Sequence, residues 1–163
     1  MAEVSPLDYA IQLERDGQTY YSDAASNTSN PLGQKMFESL AADERRHEAI
    51  LRQVAREMDI ELPEDTPKQR IVTLFDELGP AMRQELGAEP GDTDVVRKAI
   101  DMEKRSVELY ADQREKAEAE ADRALYARLV LEEQQHMDIL QNTLTYLEDS
   151  GHWFLWDEQA ILD

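Results

Sequence analysis

The chain has 163 residues, enough for one domain with a substantial core, and its 41% hydrophobic and 33% charged residues exclude a disordered polymer. With 36 acidic against 17 basic side chains the net charge is −19, which argues against nucleic acid and anionic membranes as partners, since both demand basic patches. Cysteine is absent, so no disulfide, thiolate nucleophile or Cys-ligated iron site can form from these residues.

The opening residues, Met1-Ala2-Glu3-Val4-Ser5-Pro6, carry neither the basic nor the apolar stretch of a signal peptide. No apolar run approaches membrane-spanning length, so cytoplasmic residence is the expectation. Helical periodicity runs over about 6–26 and again over about 32–58, with a strong Asn-Thr-Ser-Asn-Pro turn at 27–31 between them. Residues 60–92 hold Pro63, Pro67, Pro80 and Pro90 and are too long for a bare loop. Within them Ile71, Leu74, Phe75, Leu78, Met82 and Leu86 predict a short amphipathic helix, broken near Gly79-Pro80. Two further helical segments cover about 93–119 and 122–149, meeting near 118–122 without Gly or Pro. The predicted architecture is all-α. An antiparallel four-helix bundle fills 1–149, as hairpin 6–58, crossover 59–92 and hairpin 93–149. Residues 150–163 form an aromatic tail, read either as a cap over the bundle end or as part of a dimer contact.

The two hairpins repeat one pattern without a gap, 89 positions apart from Glu14 to Glu103. The first reads Glu14, Tyr21, Phe37, Leu40, Glu44, His47, Ile50, Leu51, and the second Glu103, Tyr110, Tyr126, Leu129, Glu133, His136, Ile139, Leu140. Each copy thus carries a lone glutamate and, 30 residues on, a Glu-x-x-His. Spacing in steps of three and four puts these polar groups on the apolar face of each helix, where a bare carboxylate is costly and no Lys or Arg shares the stripe. The midpoints between lone glutamate and motif fall at residues 29 and 118, in or beside the turns, so antiparallel packing levels them. Four carboxylates and two imidazoles form the donor set that holds two metal ions in a four-helix bundle. Oxygen-rich ligation with one imidazole per ion suits iron first and manganese next, while zinc fits but brings no redox chemistry. On this reading Glu14 and Glu103 are uncompensated core carboxylates, whose removal leaves the metal-free fold at least as stable. The competing reading is a duplicated hairpin whose repeated polar residues bind nothing.

Other residues admit two readings each. Asp43 and Glu132, just before the motifs, either accept the free ring N–H of the opposite histidine or are two more surface acids. The Tyr21 and Tyr110 hydroxyls either bond ligand carboxylates, with a supporting role in catalysis, or the rings simply fill core. Gly17 and Ser106, one turn after the lone glutamates, either leave space for an oxidant or allow a tight helix crossing. His152 has no Glu three residues before it and is assigned to the tail.

These residues resemble the rubrerythrin-like branch of the ferritin-like di-iron carboxylate superfamily over about 7–147. The resemblance implies Glu14, Glu44, His47, Glu103, Glu133 and His136 as ligands of two iron ions per chain. It further implies reaction with hydrogen peroxide or dioxygen as a peroxidase or ferroxidase, often in homodimers. Two departures stand out. The Cys-rich rubredoxin module has no counterpart, so a peroxidase would need an external electron-donor protein. An additional glutamate one turn after the third-helix ligand is replaced by Ser106, which puts peroxidase activity in doubt. A non-catalytic metal-binding bundle and an iron-storage shell are the alternatives.

Overall fold

A computed structural model describes residues 5–56, 64–78, 89–151 and 153. All regular structure among them is helical: α1 (Pro6–Asn27), α2 (Pro31–Ala55), α3 (Pro67–Leu78), α4 (Asp92–Lys116) and α5 (Glu120–Ser150). No described helix is long and apolar enough to cross a membrane. Met58, Gly79, Pro80, Met82, Leu86 and the tail residues His152, Phe154 and Trp156 lie outside the described residues, as do the side chains of Leu74, Phe75 and Leu78.

Local chemistry sets the helix ends. Ser5 caps α1 by accepting from the Asp8 N–H at 3.1 Å, and Pro6 takes the first turn, where its missing N–H costs nothing. Asn30 caps α2 through bonds from the Leu32 and Gly33 N–H groups at 2.9 and 3.1 Å. Before α4, Gly91 adopts φ +94°, a left-handed conformation that only glycine takes without strain. The α4–α5 turn lies at 117–119, slightly earlier than the periodicity suggested. Arg123 makes it: Nε donates to the Ala117 carbonyl at 2.9 Å and a guanidinium N–H to that of Glu118 at 3.2 Å. A side chain from the following helix thus does the work that glycine usually does.

α1 pairs with α2 and α4 with α5, and the hairpins join antiparallel, α1 against α4. Their turns lie at opposite ends. One apolar cluster gathers Tyr21, Leu32, Phe37, Val96, Leu140 and Leu147; the other gathers Ala10, Leu51, Tyr110, Leu125 and Leu129. Each end is sealed by such a cluster and the polar layer lies between them. Trp153 caps the first end. It is buried, edge-on to Phe37 at 5.9 Å, and donates to Asp92 Oδ2 at 3.0 Å. A Cβ at Gly33 would come within 3.2 Å of its indole, so the glycine admits the ring. α3 lies across the remaining seam, touching both α2 and α5. Ile71 anchors it in the core, and Lys68 pairs with Asp138 of α5 at 3.2 Å.

Candidate metal centre

The bundle brings Glu14 from α1, Glu44 and His47 from α2, Glu103 from α4, and Glu133 and His136 from α5 into one buried layer. Among the described residues their donor atoms form two groups, each within 4.8 Å: Glu14, Glu44, His47 and Glu133; and Glu44, Glu103, Glu133 and His136. Glu44 and Glu133 belong to both. If each group held an ion, the motif glutamates would be common to both and each lone glutamate would serve one.

Both imidazoles turn Nδ1 inward, and their rings stand face to face with centroids 5.8 Å apart. His47 Nδ1 lies 3.1 Å from Glu133 and 3.5 Å from Glu14; His136 Nδ1 lies 3.1 to 3.2 Å from Glu44, Glu103 and Glu133. The outward nitrogens reach across to the opposite hairpin. His47 Nε2 is 3.2 Å from Glu132 and His136 Nε2 is 2.9 Å from Asp43. Both acids are buried, and an Nε2–H donated to them would leave the Nδ1 lone pair of a neutral ring facing the centre. The tyrosines cross in the same way, Tyr21 donating to Glu103 and Tyr110 to Glu14. Their rings also pack, Tyr21 on Phe37 and Tyr110 on Tyr126, so bonding and core filling coexist.

Electrostatics divides the four glutamates into two kinds. Burial, and then the charges of the neighbouring glutamates, push Glu44 well up and Glu133 up to about 8. Burial also opposes ionisation of Glu14, but its hydrogen bond with Glu44, the charge on His47 and the Tyr110 hydroxyl win and lower it to about 2. Glu103 is lowered likewise, with His136, Glu133 and Tyr21 outweighing burial. For both histidines burial favours the neutral ring, yet the surrounding glutamates raise them well above their ordinary value. In the metal-free centre these directions favour charge on both imidazoles and on Glu14 and Glu103 over charge on Glu44 and Glu133. The lone glutamates are compensated, contrary to the sequence-based expectation, because histidine and tyrosine from both hairpins converge on them.

The donor set fits two divalent ions. Four carboxylates match a charge of +4. Among the described residues Glu14 Oε2, Glu44 Oε1 and Glu133 Oε2 are buried without a well-directed hydrogen bond, each 3.1 to 3.5 Å from a histidine Nδ1. A cavity of about 160 Å³ between α1 and α4 reaches Glu44 and Glu103, lined also by Gly17, Met102 and Ser106. At Gly17 a Cβ would stand 3.0 Å from Glu44 Oε2, so the glycine keeps both the opening and that carboxylate's place. Among the described residues the Ser106 hydroxyl donates to the Met102 carbonyl at 3.5 Å.

Sequence reasoning missed the arginines on the far side. Arg46 pairs with Glu132, and Arg128 Nε donates to the same acid at 2.8 Å. Arg70 Nε lies 3.0 Å from Asp43, and its Nη2 donates to Glu132 at 3.3 Å. Burial would raise both acids, but His136 and Arg70 lower Asp43, while His47, Arg46 and Arg128 lower Glu132. Arg46 and Arg128 were legible, standing three residues after Asp43 and four before Glu132. Arg70, in the crossover, gave no such signal.

An antiparallel helical bundle with a buried Glu/His centre defines a ferritin-like carboxylate protein. The rubrerythrin family model matches residues 6–144, and the chain belongs to that family of ferritin-like di-iron proteins. No rubredoxin module accompanies the match. Nothing among curated proteins or solved structures matches the chain.

Proposed function

We propose that the chain is a di-iron oxidoreductase that reacts with hydrogen peroxide or dioxygen, in the handling of oxidants or of iron. Glu14, Glu44, His47, Glu103, Glu133 and His136 would hold two iron ions. The observation that carries the reading is the pair of overlapping donor groups sharing Glu44 and Glu133, beside a cavity large enough for a small oxidant. When bound, two ferrous ions supply one electron each, so that peroxide and two protons leave as two waters. Glu44 and Glu133 would hold the ions as carboxylates, so metal binding would favour their deprotonation. Tyr110 holds Glu14 Oε1 and leaves Oε2 toward His47. Tyr21 holds Glu103 Oε1, the oxygen that also meets His136 Nδ1 at 3.2 Å, so each tyrosine fixes its carboxylate in place. The second group's face, at Glu44 and Glu103, is the one the cavity meets.

The absence of cysteine supports a separate electron-donor protein if turnover is peroxidatic. A homodimer in the cytoplasm completes the proposal. Anaerobic Fe(II) titration should give two ions per chain, and mixing with peroxide should oxidise them rapidly with the iron retained. A stoichiometry near zero would sink the metal centre; slow oxidation with loss of iron would instead make it a non-catalytic binder. Light scattering should find a dimer, and a large shell would favour storage.

A further inference from the structure

We infer that Arg70, on the crossover helix, is a positioning residue that holds both histidines in register, so that α3 governs the two metal subsites together. The inference rests on the metal-centre reading. One guanidinium spans two acids from different hairpins: Nε stands 3.0 Å from Asp43 Oδ1, and Nη2 donates to Glu132 Oε1 at 3.3 Å. Asp43 faces His136 Nε2 at 2.9 Å, and Glu132 faces His47 Nε2 at 3.2 Å. The chain of contacts therefore runs from His136 through Asp43, Arg70 and Glu132 to His47. Arg70 is itself fixed from outside, since Nη1 donates to the Asp65 carbonyl at 3.1 Å and pairs with its carboxylate at 3.1 Å.

The other two arginines divide differently. Arg128 touches Glu132 and the Asp65 carbonyl, and Arg46 binds Glu132 closely while standing 3.6 Å from Asp43. Arg70 alone of the three stands within 3.3 Å of both acids. The Nη2 contact to Glu132 is a hydrogen bond and the Nε contact to Asp43 an ion pair. The spread of a guanidinium lets two of its nitrogens reach two carboxylates at once; a lysine ammonium is a point charge that cannot span them equally. Loss of Arg70 unties the two acids from each other. Of its arginine contacts Asp43 then keeps only the 3.6 Å one to Arg46, while Glu132 is still held by Arg46 and Arg128 but loses its link across to Asp43. The aim of both rings slackens, that of His136 more.

The test is anaerobic titration of the full-length metal-free protein with Co(II) alone, followed by its visible spectrum, with melting temperatures recorded in parallel. The unmodified protein should bind two ions. Arg70→Gln should weaken both, by roughly ten- to a hundredfold for the ion beside His136 and by less for the ion beside His47. Arg128→Gln should weaken chiefly one, the ion beside His47, and Arg70→Lys should recover only part of the loss. Lys68→Ala removes a different tether of α3, to Asp138, and should leave both affinities unchanged whatever it does to melting. Two unmodified affinities in Arg70→Gln, or loss of one ion only, would overturn the inference while the metal centre stood. An equal loss in Lys68→Ala would overturn it too, showing that α3 docking rather than the guanidinium matters. Failure of the unmodified protein to bind Co(II) would remove the metal centre itself.

Discussion

On the α2–α5 flank of the centre, His47 and His136 back onto Asp43 and Glu132, and three arginines with the crossover helix close the space behind them. On the α1–α4 flank, Gly17 and Ser106 leave a cavity that ends on Glu44 and Glu103. One side is closed by charge, the other opened by missing side-chain volume. The difference assigns work to each. The charged flank holds direction, because buried ionic contacts tolerate little displacement without loss. The small-residue flank would give a small oxidant access on the proposed reading, and glycine in mid-helix costs about 1 kcal/mol relative to alanine for that room.

The strongest way to break this comparison is to alter the glutamates between the flanks. Glu44→Gln and Glu133→Gln should each remove most metal binding, since both donor groups need them. The metal-free proteins should melt no lower than the unmodified one, because the amide stands in for a carboxyl already protonated. Glu14→Gln and Glu103→Gln should lower metal-free stability by about 3–5 kcal/mol, as each strands a buried imidazolium. Calorimetry of the four metal-free variants decides it, and equal melting temperatures throughout would erase the distinction.

The pH dependence sharpens the same division. His47, His136, Glu44 and Glu133 have raised values in the fold, so the stability tied to their protons is present at low pH and lost as pH rises. For Glu133 the window runs from about 4.5, its unfolded value, to about 8. Glu14 and Glu103 act oppositely, with stability present above about 4.5 and lost as pH falls toward their lowered values. The metal-free protein should therefore melt higher at pH 5 than at pH 8. Metal affinity should rise over that interval, with about four protons released per two ions: one each from Glu44 and Glu133 and one from each imidazolium. A flat metal-free profile between those pH values would contradict the assignment.

Gly17→Val tests the open flank. The new methyls enter the cavity against Glu44, so oxidation by peroxide should slow at least about tenfold. Overpacking should cost about 1–3 kcal/mol. Stopped-flow rates on loaded protein check this, and an unchanged rate would mean that oxidant arrives elsewhere. The smallest effects are expected at Glu108 and Glu115, both exposed, where alanine should change melting by less than about 0.5 kcal/mol and leave metal stoichiometry alone.

Much of this molecule is written in its residue order. The steps of three and four that define α1, α2, α4 and α5, the Asn30-Pro31 start of α2, and the repeat relating Glu14 to Glu103 and His47 to His136 are all local or periodic signals. They suffice to place six polar groups on inward faces and to level them across two hairpins. What they leave open depends on distances between elements far apart in the chain. Sharing of Glu44 and Glu133 between two groups follows from how the hairpins cross, and the compensation of Glu14 and Glu103 from tyrosines reaching over from the other hairpin. The α4–α5 turn moved because Arg123 satisfies its carbonyls, a role that its composition does not announce. Arg70 lies 27 positions from Asp43 and 62 from Glu132, in a segment with no repeat and no fixed period. Its place beside both is set by where α3 docks, and docking is a property of packed surfaces rather than of sequence spacing.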